Sequence, residues 1–171
     1  MMEDAAVSRR DALNALKGYG ITGEQVYLID LIPLIEIMWA DGEAQKGEVA
    51  VLEHYIEQHV AQVNKDAGCC VLSFETAKAF AEQFIKERPS PELMKTLRSF
   101  IKPVRLSGTD RKNNERLRSS LLSACMDIAS SSVTHYPYNF EERFNPEEKA
   151  CFFSILESLS EDERSYHTMQ P

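Results

Sequence analysis

Tyr27-Leu28-Ile29-Asp30-Leu31-Ile32-Pro33-Leu34-Ile35-Glu36-Ile37-Met38-Trp39-Ala40-Asp41-Gly42 is the run whose reading decides the fold. Just upstream, Thr22 and Gln25 stand at capping-box spacing, which opens a helix. Val26, Ile29, Ile32, Leu34, Ile37 and Met38 then fill a broad apolar face at helical period. Pro33 lacks the N–H donor that an interior helical position needs, so a kink or an irregular early turn is expected. Gly42 supplies the left-handed conformation that ends the helix after Asp41.

The same period recurs on both sides. An amphipathic helix precedes the run, over about Ala5 to Lys17. Behind it, Val49, Leu52, Tyr55, Ile56 and Val60 mark a helix that runs out at Asn64-Lys65-Asp66-Ala67-Gly68. Ser73 caps a helix with Ala77, Phe80, Ala81 and Phe84 inward, stopped at Arg88-Pro89. Ser90-Pro91-Glu92 starts another, which Lys102-Pro103 should end. A long helix from Asp110 to about Ser130 turns Leu117, Leu121, Leu122, Cys125 and Ile128 inward. Ser130 to Asn145, with Tyr136-Pro137-Tyr138, has no helical period and reads as a loop. Asn145-Pro146-Glu147-Glu148 then opens the last helix. About seven helices and no strand predict an all-α, single-domain bundle over residues 1–171, with a frayed tail over 160–171.

With 171 residues, 43% of them apolar and 27% charged, the chain is neither disordered nor fibrous. Its start is acidic and has no apolar segment of the secretory kind, and Leu28 to Ala40 is too short to span a bilayer. Cys69, Cys70, Cys125 and Cys151 show no metal-binding or redox spacing. They read as buried small hydrophobes of a reducing cytosol, so a cytoplasmic location is expected. The net charge of −8 argues against a general nucleic-acid binder. It is unevenly spread: Lys86 to Arg118 carries ten basic and four acidic residues. Either that stretch is a solvated face, or Lys95, Arg98 and Lys102 belong to a surface that docks an acidic protein partner.

An internal echo organises the chain further. Glu48 to Ile56 lines up with Glu148 to Leu156, and Leu34-Ile35-Glu36-Ile37 lines up with Cys125-Met126-Asp127-Ile128. Two helical hairpins, residues 23–65 and 110–159, are therefore expected to pack as a pseudo-symmetric pair. Leu34, Ile37, Leu52, Ile56, Leu122, Ile128, Phe152 and Leu156 would form the shared core. Asp41-Gly42 with Glu48 matches the second half of a calcium loop, but Ile37 and Trp39 offer no oxygen where its first half needs one, so an EF-hand is excluded. What remains is a helix end carrying Asp41, a first turn carrying Glu48, and Glu36 one turn back. Glu148 and Asp127 are their counterparts in the second copy. These acids are candidate ligands for a hard cation, calcium or magnesium, and also ordinary helix-end residues.

Ala40-Asp41-Gly42 with Glu48, after Leu31-Ile32-Pro33-Leu34 and Trp39, resembles the signature of the TerB-like tellurite-resistance family. The likeness covers Tyr27 to His59 and extends more faintly to the second hairpin. It implies an all-helical fold of two similar halves and a cation-binding acidic surface. It also implies a stress-response role beside other proteins of such a system, with any membrane association through those partners. The chain departs from the pattern at Ala44 and Gln45. It departs again at Ser130-Ser131-Ser132, where the second copy would need Ala-Asp-Gly.

No enzyme is expected. The four histidines form no Glu-x-x-His or His-Glu-x-x-His pattern, and neither a Gly-x-Ser-x-Gly elbow nor a phosphate loop occurs. His135, in the Tyr-Pro-Tyr loop, is the histidine best placed to be a ligand.

Overall fold

Ser8 opens the first helix, α1 (Arg9–Gly18), by accepting the Asp11 N–H at 3.1 Å. The computed structural model describes residues 8–131 and 146–160. Beyond α1, Gly23–Leu31 is a 3-10 helix and Ile32–Trp39 an α-helix, α2. Nine residues of 3-10 geometry are uncommon, and Pro33 accounts for the last turn of this helix. Within an α-helix its ring would clash with the Ile29 carbonyl and bring it no donor. That carbonyl accepts instead from the Ile32 N–H, three residues on. The irregular early segment expected from Pro33 is thus a change of helix type.

Gln45 then caps α3 (Lys46–Ala67), and Gly68, at φ 75°, ends it. Asn64 closes the turn that follows: its side-chain oxygen accepts from the Val71 and Leu72 N–H groups at 2.8 and 2.9 Å, and its amide donates to the Leu72 carbonyl at 2.9 Å. Ser73 caps α4 (Phe74–Lys86) and Ser90 caps α5 (Pro91–Arg98). The single helix expected over 90–102 is two, because α6 (Ile101–Arg105) continues past Pro103. Pro103 is third in α6, where no intrahelical donor is needed. The set ends with α7 (Arg111–Ser131) and α8 (Pro146–Leu159). Among the described residues there are eight α-helices, one 3-10 helix and no strand: an all-α bundle.

The bundle is built around α2. It packs against the 3-10 helix, α3, α5, α7 and α8. Ile32, Leu34, Ile35, Ile37 and Met38 are wholly buried there. A helix apolar all round belongs inside. The sequence pattern suggested one broad face; the fold uses every side. α7 lies along α2 and α3, and α8 along α2, α6 and α7.

Of the expected core, Leu34, Ile37, Leu52, Ile56 and Ile128 are buried, and Leu122 and Phe152 are partly so. Leu156 is 37% exposed and does not belong to it; α8 turns Ile155 and Leu159 inward instead. The cysteine expectation also needs correcting, since Cys69 and Cys70 are exposed in the α3–α4 connection. Cys125 is buried and Cys151 half-buried, as small hydrophobes. No helix among the described residues is long and apolar enough to cross a membrane. The start of the first expected helix, the loop with His135 and the tail beyond Ser160 lie outside the described residues.

Candidate functional site

Glu36 is placed by the centrality of α2. It is largely buried and lines a small cavity of about 150 Å³ with Trp39, Arg88 and Cys151. Its Oε2 pairs with Arg98 Nη1 at 3.1 Å, and Arg98 Nη2 donates to Ser154 Oγ of α8 at 2.9 Å. The carboxyl's second oxygen has no hydrogen-bond partner. Burial outweighs the attraction of Arg98 and lifts the carboxyl to about 7. Burial and the Glu36 charge also push the Cys151 thiol up to about 12. Glu36 therefore ties α2 to α5 and does not join Asp41 and Glu48 as a ligand set.

Asp41 and Glu48 come from the two sides of the α2–α3 connection. Asp41 Oδ1 accepts the Glu43 N–H at 3.2 Å, closing a turn on itself. Glu48 is wholly buried. Its Oε1 accepts the Gln45 N–H at 3.0 Å, the reciprocal half of the capping box, while its Oε2 is buried without a partner. Burial, then the charges of Asp41 and Glu148, raise this carboxyl to about 8, against the single lowering contribution of the Gln45 N–H. Glu148, in the first turn of α8, is also buried. The sequence echo thus brings its two glutamates within repulsive reach of each other. Asp127 does not share this. It lies on the exposed side of α7, because α7 is not enclosed as α2 is. Among the described residues, no three acidic, histidine or cysteine side chains converge tightly enough to hold a metal ion by themselves.

The basic stretch is dismantled by the fold. Arg98 is buried against Glu36, which corrects its placement on an exposed docking surface. Arg118 is buried too, donating from Nε to the Leu159 carbonyl at 2.5 Å and pairing with Glu115. Arg105 and Arg116 bind Asp30 and Asp66. Lys95 is exposed and Lys102 half-buried. Four of the ten cations over 86–118 are therefore struts between helices.

A polar cluster unmarked by any motif joins the 3-10 helix, α3 and α6. Asp30, at the end of the 3-10 helix, is wholly buried. Its Oδ2 accepts from Arg105 Nε at 3.0 Å and lies 3.6 Å from His59 Nε2, while its Oδ1 has no partner. His59 Nε2 also sits 2.9 Å from the Tyr27 carbonyl, and its ring stacks on Tyr55 at 5.6 Å. Burial and the Asp30 charge push the Tyr55 phenol up. Three elements, the 3-10 helix, α3 and α6, supply these groups, separated by up to 75 residues. The one local signal was Asp30 itself, a charge inside an apolar run. No family model, curated protein or solved structure matches the chain.

Proposed function

We propose that the chain is a non-enzymatic, stress-responsive helical protein of the tellurite-resistance kind, in which Glu48, with Asp41 and Glu148 beside it, takes up a hard divalent cation. The observation that carries this reading is Glu48 Oε2, a buried carboxylate oxygen without a partner, within electrostatic reach of the Asp41 and Glu148 carboxyls. Such an oxygen must be neutralised by a proton or by a cation. Oxygen ligands select calcium or magnesium, and with fewer than three convergent side chains the loop carbonyls and water complete the shell. Affinity is therefore weak and rises with pH, since the ion displaces the Glu48 proton.

Calorimetric titration of calcium and of magnesium into the chelator-treated chain tests this. Millimolar binding that strengthens from pH 6 to 8 (by at most about tenfold per pH unit) and disappears in the Asp41→Asn, Glu48→Gln double variant is expected. At ten times its dissociation constant the ion adds about 1.4 kcal/mol of stability. The absence of both heat and a melting shift with either ion would leave the connection as a capping box alone.

A further inference from the structure

The strongest unassigned feature is the open cleft between α3 and α7. It holds about 490 Å³ and is lined by Tyr55, His59, Lys65, Asp66, Arg105 and Arg116, among others. It continues into a recess of about 230 Å³ that shares Arg105, Asp66 and Arg116. Arg105 sits where the two meet. Its Nε is fixed to the buried Asp30 at 3.0 Å, and its guanidinium carbon lies 5.1 Å above the Tyr27 ring. Arginine and carboxylate usually meet through two parallel hydrogen bonds. Here one bond is made, and among the described residues the terminal nitrogens of Arg105 have no partner. The side chain is thus held rigid from behind while its outer edge lines the cavity.

We propose that this cleft binds a small phosphate monoester, with the phosphate on Arg105, Arg116 and Lys65 and the organic part along Tyr55 and Leu117. Three cations line the cleft against one acid, Asp66. That acid is half-exposed, with Oδ1 taking Gln62 at 2.8 Å and Oδ2 taking Arg116 at 3.1 Å, so an incoming dianion can displace it from Arg116. A pre-oriented guanidinium edge matches the paired oxygens of a phosphate better than a lone ammonium does. A dianion also uses more of the positive wall than a monocarboxylate can. The site is distinct from the acidic connection and takes ligands of opposite charge.

Calorimetry and thermal shift on the full chain, at low ionic strength, test this with inorganic phosphate and glucose 6-phosphate as probes and sulfate and chloride as controls. Saturable binding is expected, with the monoester tighter than inorganic phosphate and both tighter than sulfate. Arg105→Lys should weaken it by about tenfold or more, as one charge-assisted contact is lost. Because that variant disturbs Asp30, Arg116→Gln and Lys65→Gln, both at the surface, provide the second arm; each should fold normally and lose affinity. Equal binding of sulfate or chloride, unchanged affinity in Arg116→Gln and Lys65→Gln, or no saturation at millimolar probe overturns the proposal.

Discussion

Raising the pH should destabilise this protein, and Glu48→Gln should remove much of the effect. In the folded chain Glu48 holds its proton to about pH 8, whereas a solvated glutamate releases it near 4.5. The folded state therefore binds more protons than the unfolded one between these values, and stability falls as pH rises through that window. The sign follows from a folded value raised above the unfolded one: the contribution is whole below about 4.5 and gone above about 8. A separation of about 3.5 pH units at 1.36 kcal/mol each sets a ceiling near 5 kcal/mol. Local relaxation and water entry reduce this to roughly 2–3 kcal/mol. Glutamine keeps the oxygen that accepts the Gln45 N–H and carries no charge to bury. Urea unfolding of both proteins at intervals from pH 5 to 9, in chelating buffer, reads the difference. The variant should match the wild type at pH 5 and exceed it by about 2–3 kcal/mol at pH 9. Glu36 titrates in the same window, so a residual slope should persist in the variant. A wild-type stability that is flat or rising over this range, or an identical fall in both proteins, would refute the reasoning.

Other substitutions separate struts from surface. Arg98→Met leaves Glu36 without its cation and should cost about 3 kcal/mol in urea unfolding, whereas Lys95→Ala on the exposed side of α5 should stay within about 0.5 kcal/mol; equal costs would place both outside the interior. Ile37→Ala empties space at the centre of the bundle and should cost about 3–4 kcal/mol, against less than about 1 for Leu156→Ala. Asn64→Ala strands the Val71 and Leu72 N–H groups and should lower stability by about 2 kcal/mol, much of it recovered by Asn64→Asp, which keeps the acceptor.

The helices were legible because their signals are local. Ser73 and Ser90-Pro91 act within one turn of themselves, and their caps form where the residues stand. The Gln45–Glu48 box is as local, but Gln45 reads in the sequence only as a departure from a pattern. Pro33 is equally local, although the nine-residue length of the 3-10 helix before it depends on what surrounds that helix. The alignment of Glu48 with Glu148 pointed to two acids now found within reach of each other's charge. The alignment of Glu36 with Asp127 did not carry over, because matching positions in two helices do not receive matching enclosure.

What the amino-acid sequence determined by itself was the helical class, most helix ends and the interest of the Asp41–Glu48 connection. Each rests on interactions between residues a few positions apart. The tertiary structure alone decided which charges are buried and what neutralises them. Arg98 meets Glu36, Arg105 meets Asp30, and Leu156 yields its place to Ile155. Those outcomes depend on how helices rotate and cross, and the cost of burying a charge is set by everything packed around it.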